Sequence, residues 1–186
     1  MGHVVLDLGH VGETGGRPPA KHGPFREDEC VVRYAAVAYK HLVQAGHAVS
    51  IAGAGLYANR RAMASYGADL YVACHANMGG DDYGLVLHDH RSTLGARTAG
   101  IIAESLLQEW GGTVSKVKAL PTRNDDWTSN AHSLISSIYR SPRCHAVVFE
   151  PGFLDSDRHR IMWSDEGLSR IGIALARGIN LSLGEH

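Results

Sequence analysis

Three apolar runs in this chain stop at a residue able to hold a metal or move a proton: VVLDLG runs into His10, DLYVAC into His75, and CHAVVF ends on Glu150. A fourth such residue, Glu27, opens a helical stretch behind a loop rich in glycine and proline. Two imidazoles, one carboxylate and an open position for water are a standard catalytic zinc set. His10, Glu27 and His75 supply those donors, and Glu150 is left over as a general base. Each residue also has an ordinary alternative. Twelve histidines are enough for a pair to reach strand ends by chance. Acids are favoured in the first turn of any helix, and Asp28 and Glu29 follow Glu27 directly. Glu150 is the hardest to set aside, because a carboxylate closing an apolar run is costly unless it is paired or functional.

For these four side chains to meet, the runs that carry them must be strands whose ends share one edge of a sheet, where open α/β folds gather ligands. The pattern predicts this. VVLDLG reads as a buried strand, and residues 11–27 as an irregular loop. From Asp28 to Ala45 apolar residues recur at helical spacing (Val32, Ala35, Ala36, Tyr39, Leu42, Val43), with Gly46 as the C-terminal cap. HAVSIAG, ADLYVACHAN, YGLVLHDH and CHAVVFE read as further strands. YANRRAMASYG, LGARTAGIIAESLLQEW and LSRIGIALARGINLSL read as helices. Strands alternating with helices predict an α/β fold: one domain over residues 1–186, with a mainly parallel twisted sheet and helices on both faces. Residues 113–143 show no clear period and are expected to form a loop over the site.

Composition narrows the function classes. With 44% hydrophobic and 20% charged residues in 186, the chain can build one well-cored domain. Its 18 basic and 19 acidic side chains nearly cancel, with no long run of either sign, so neither a nucleic acid nor an anionic membrane is expected as a partner. No stretch approaches membrane-spanning length, and Met1-Gly2-His3 leads into the first strand without a signal-peptide pattern. Synthesis in the cytoplasm is the expectation. Cys30, Cys74 and Cys144 are odd in number and form no C-x-x-C pair, which reads as free, mostly buried thiols.

Rival chemistries fare less well. Cys74 beside His75 invites a Cys/His nucleophile, but neighbours on a strand point to opposite faces, so the thiol should enter the core as the imidazole leaves it. His88 and His90 share a strand face but lack further ligands. Most of the remaining histidines read as surface or loop residues.

Taken in order, VVLDLGH, the Glu27 region, GADLYVACHAN and AVVFEPGFLDSD resemble the zinc-dependent N-acetylmuramoyl-L-alanine amidases of the amidase 3 type, found in bacterial autolysins and phage endolysins. The family's D-P-G-H motif is matched by Asp7-Leu8-Gly9-His10, and its S-I-H-A-N-like motif by Ala73-Cys74-His75-Ala76-Asn77. Its V-E-x-G-F-L motif is matched by Phe149-Glu150-Pro151-Gly152-Phe153-Leu154. Leu8 replaces a proline and Cys74 an isoleucine, and neither change removes a ligand. The family's glutamate ligand opens the first helix about five turns before its closing glycine. Counting back from Gly46 gives Glu27, with Glu29 as the fallback.

The resemblance implies Zn2+ on His10, Glu27 and His75, Glu150 as the catalytic acid/base, and peptidoglycan as substrate. The bond cut is the amide joining N-acetylmuramic acid to L-alanine. Asn77, Arg123, Asn124 and Trp127 are the expected substrate contacts. A stem-peptide zinc carboxypeptidase and a non-catalytic peptidoglycan-binding domain are the alternatives. No separate wall-binding domain is expected. A phage or prophage lysin reaching the cell wall after holin-mediated release is the expected setting, and the oligomeric state stays open.

Overall fold

The computed structural model describes residues 1–11, 25–53, 66–114, 116–122 and 143–184. Its frame is a six-stranded sheet: β1 (His3–Leu8), β2 (Ala48–Gly53), β3 (Leu70–Cys74), β4 (Tyr83–His88), β5 (Lys116–Pro121) and β6 (His145–Glu150). The order across the sheet is β2-β1-β3-β6-β4-β5. β2, β1, β3 and β6 run parallel, with Leu6 level with Ile51 and Val72, and Val72 level with Val147. The interior strands β1, β3 and β6 are flanked on both sides, and as expected for such strands their residues are almost all apolar and buried. Placing β1, β3 and β6 side by side and in one direction sets their C-terminal ends at one edge.

Three helices follow the same logic of apolar spacing. α1 (Glu27–Gln44) buries Cys30, Val31, Tyr34, Ala35, Ala38 and Leu42. α2 (Thr93–Trp110) starts on Ser92, whose hydroxyl accepts the Gly95 N–H at 2.9 Å. α3 (Asp165–Gly184) lies against α1 and α2 and is entered through a 3-10 turn over Asp157–Trp163. Side chains from α1, α2 and α3 and from one face of the sheet, including Val4, Leu6, Val72, Val147 and Phe149, make the main core. The opposite face carries a smaller apolar cluster around Val5, Tyr71, Ala73 and Val148.

Several expectations shift. The sheet is mainly parallel, but β4 pairs antiparallel with β6 and carries β5 with it. The three described helices share one face, and the helix expected over residues 57–67 falls mostly outside the described residues. β5 is a strand where a loop was expected: its edge position leaves it half exposed, so it lacks the continuous apolar run of a central strand. No described helix is long and apolar enough to cross a membrane.

Candidate metal centre

The three donors converge at the sheet edge. His75 is the first residue past β3, His10 lies two residues past β1, and Glu27 is the first residue of α1. One ligand atom from each lies within 4.8 Å of the others. His75 Nδ1 is 3.4 Å and His10 Nε2 3.8 Å from Glu27 Oε1, and the two imidazoles meet edge to face with centroids 5.0 Å apart. Donors bound at about 2.0–2.1 Å around a tetrahedral ion sit ~3.4 Å from one another. The donor types, and the two imidazole-to-carboxylate distances, suit a divalent ion such as zinc. Among the described residues no other group of three such side chains gathers in this way.

Local structure explains why these residues arrive together. His10 is the one described non-glycine residue with positive φ, 60°, which turns the chain sharply after the strand. Gly9 is the position that makes room. A Cβ there would lie 2.5 Å from His75 Nδ1 and 2.6 Å from the Cys74 carbonyl oxygen, so no larger residue fits while His75 keeps its place. Glu27 is 1% exposed and is also held by the Ala76 N–H at 3.2 Å. Glu29, the other candidate on α1, is exposed and caps the helix by accepting the Arg26 N–H at 2.7 Å, the reach-back half of a capping box. The two acids are thus separated by their partners.

Electrostatics favours the ionised carboxylate. Burial alone would raise the Glu27 pKa, but the hydrogen bonds from His75 and Ala76 and the nearby imidazoles hold it below the ordinary value. Beneath the site, the Tyr34 hydroxyl donates to the His75 carbonyl at 3.0 Å and its ring meets Phe149 edge to face. Burial pushes the phenol well up, so it stays a donor. Cys74 is fully buried while His75 is partly open, as alternation on the strand requires. Burial raises the Cys74 thiol strongly and takes Cys30 to about 12, which leaves neither as a thiolate near neutral pH.

Glu150 closes β6, whose Phe149 carbonyl accepts the His75 N–H at 2.9 Å. This neighbour-strand register sets Glu150 at the end of the strand adjoining the one that leads into His75. Its Oε2 accepts a hydrogen bond from Asn77 Nδ2 at 2.9 Å. Arg123, Asn124 and Trp127 lie outside the described residues. His145 is buried rather than on the surface, with its Nε2 against the Thr98 hydroxyl; His88 is buried at the end of β4, with its Nδ1 against the Asp89 carbonyl, and His90 lies past the strand in a turn, so the two share no strand face. His159 is buried too, and its Nδ1 accepts the Phe153 N–H at 2.8 Å.

Two contributors escaped the sequence reading. Tyr34 lies seven residues after Glu27, on the buried stripe of α1. A tyrosine among small and aliphatic core residues was the available signal, since a buried hydroxyl needs a partner. His159 gives no such signal, because its partner is a backbone amide.

No family model and no curated protein matches the chain. Solved structures do. The CwlD amidase of Clostridioides difficile, in complex with the GerS lipoprotein, superposes with a TM-score of 0.81 at 15% identity, over 100% of both chains. The N-acetylmuramoyl-L-alanine amidase AmiC2 of Nostoc punctiforme gives 0.77 at 20% identity, over 98% of this chain and 97% of its own. Cwp6 of Clostridium difficile gives 0.80 at 17% identity, over 98% of this chain but 29% of its own, so this chain spans under a third of that protein. The chain has the fold of the N-acetylmuramoyl-L-alanine amidases.

Proposed function

We propose that the protein is a zinc-dependent peptidoglycan amidase that hydrolyses the bond between N-acetylmuramic acid and L-alanine. The observation that carries this reading is the convergence of His10, Glu27 and His75 at the sheet edge, with Glu150 on the adjoining strand end, in a chain with the amidase fold. His10, Glu27 and His75 would hold the metal. When bound, zinc supplies Lewis acidity, activating water and drawing electron density from the scissile carbonyl.

The chain's own groups do the rest. Glu150 takes a proton from the attacking water and returns it to the departing amine of L-alanine, a task for a carboxylate fixed beside the reacting atoms. Glu27, ionised and nearly sealed from solvent, keeps its charge for the metal rather than for proton transfer. Tyr34 steadies the chain at His75 from below.

The test separates binding from chemistry. Wild type and Glu150→Gln are loaded with zinc and given a soluble muropeptide, with metal content measured alongside. Release of N-terminal L-alanine by the wild type, and its loss in a variant that still holds one zinc, supports the assignment. Cleavage elsewhere in the stem peptide would move the reading to a zinc peptidase, and undiminished turnover by the variant would remove Glu150 from the chemistry.

A further inference from the structure

Resting on the amidase reading, we infer that Asn77 is a positioning residue that fixes the carboxylate plane of Glu150, rather than a contact to substrate. Asn77 Nδ2 donates to Glu150 Oε2 at 2.9 Å, and Asn77 Oδ1 accepts the Met78 N–H at 2.8 Å. Because an amide oxygen can only accept and its nitrogen only donate, the Met78 contact dictates that the NH2 end faces Glu150. Each end of the side chain therefore has a partner inside the protein.

The backbone around Asn77 is held as firmly. Its N–H donates to the Gly152 carbonyl and its carbonyl accepts the Leu154 N–H, each at 2.9 Å, so residue 77 bridges Phe153 as a one-residue extension of the parallel pairing. Further out, the Asp155 carboxylate accepts the Gly79 and Gly80 N–H groups at 3.0–3.1 Å. Those two glycines take φ of 128° and 72°, the left-handed turn that wraps the loop around the carboxylate. Arg158 and Asp82 close the far end at 2.6 Å. The loops after β3 and β6 thus form one braced unit with Asn77 at its inner end. A glutamate has three side-chain torsions to fix, and a proton acceptor must be held to within a fraction of an ångström, so one bond from an anchored amide has a direct kinetic consequence.

The experiment compares wild type, Asn77→Asp and Asn77→Ala, all zinc-loaded, on a soluble muropeptide. Asn77→Asp keeps shape and the Met78 acceptor but replaces the donor with a second carboxylate; Asn77→Ala removes the group. The inference expects kcat to fall roughly 10- to 100-fold in both, the weight of one hydrogen bond to a charged group. KM and zinc affinity should hold within about twofold, since uniform binding is untouched. A rise in KM at constant kcat would make Asn77 a substrate contact and overturn the inference. So would loss of zinc affinity or of the folded state in both variants, which would make it a structural staple. A wild type that releases no L-alanine would instead remove the amidase reading on which the inference rests.

Discussion

Gly9→Ala is a one-methyl change that should disturb the candidate metal centre. The added methyl would sit 2.5 Å from His75 Nδ1 and 2.6 Å from the Cys74 carbonyl oxygen. Carbon contacts are comfortable at about 3.5–4.0 Å, so something must move by ~1 Å. The obstacle is backbone on one side and a candidate ligand on the other. The carbonyl side cannot yield easily, because Gly9 N–H donates to that same Cys74 oxygen at 3.0 Å and joins β1 to β3. The imidazole therefore yields, and its 3.4 Å spacing to Glu27 Oε1 is disturbed. Overpacking of this kind costs about 1–3 kcal/mol. In a chain of this size each kcal/mol lowers Tm by roughly 2–4 °C, which predicts a drop of about 2–12 °C for the metal-free protein. Displacing a ligand by this much should weaken zinc by at least the 10- to 100-fold typical of losing a supporting contact. Thermal melts of the metal-free protein and zinc titration against a competing chelator read the two effects separately. A Gly9→Ala protein that melts and binds zinc like wild type would refute the steric argument and the placement of His75.

Replacing His10, Glu27 or His75 with alanine should leave less than one zinc per chain by metal analysis, whereas Glu29→Ala should keep the metal and lose about 1 kcal/mol of helix capping, seen as a small fall in Tm. Tyr34→Phe removes the buried donor to the His75 carbonyl, and zinc affinity should fall by roughly 10-fold or more, with Glu29→Ala as the unaffected control. His159 supplies the pH prediction: burial pushes its pKa below the ordinary 6.5, so the unfolded chain binds more protons than the folded one just below that value. Stability should therefore fall as pH drops through and below 6.5, and protonation would also remove the acceptor for the Phe153 N–H. Urea unfolding of wild type and His159→Gln between pH 7.5 and pH 5 should show a shallower pH slope in the variant; equal slopes would exclude this histidine as the source.

Much of the site was written in local pattern. β1, β3 and β6 are short apolar runs bounded by Gly, His or Glu, and residues at the ends of neighbouring parallel strands must share an edge, so the positions of His10, His75 and Glu150 at that edge follow from the sequence pattern. Glu27 was legible as the start of α1, but its distinction from Glu29 was not: both acids suit a first turn, and only the Arg26 N–H on one and Ala76 N–H on the other separate them. The reversal of β4 had a signal that the alternating pattern obscured. Residues 75–82 link β3 to β4 without a helix, too short a stretch for a parallel crossover. β5 gave none, because an edge strand of mixed polarity looks like loop. The buried His145 and His159 show the limit of reading side chains singly, since their partners are a distant threonine and a backbone amide.

The most direct test is digestion of purified peptidoglycan by the protein stripped of metal, then resupplied with zinc, followed by end-group labelling and mass spectrometry of the products. The account predicts intact glycan strands and free stem peptides with new N-terminal L-alanine, produced only when zinc is present. Cleavage that proceeds equally in excess chelator, or a folded, zinc-loaded protein that exposes no L-alanine, would contradict it.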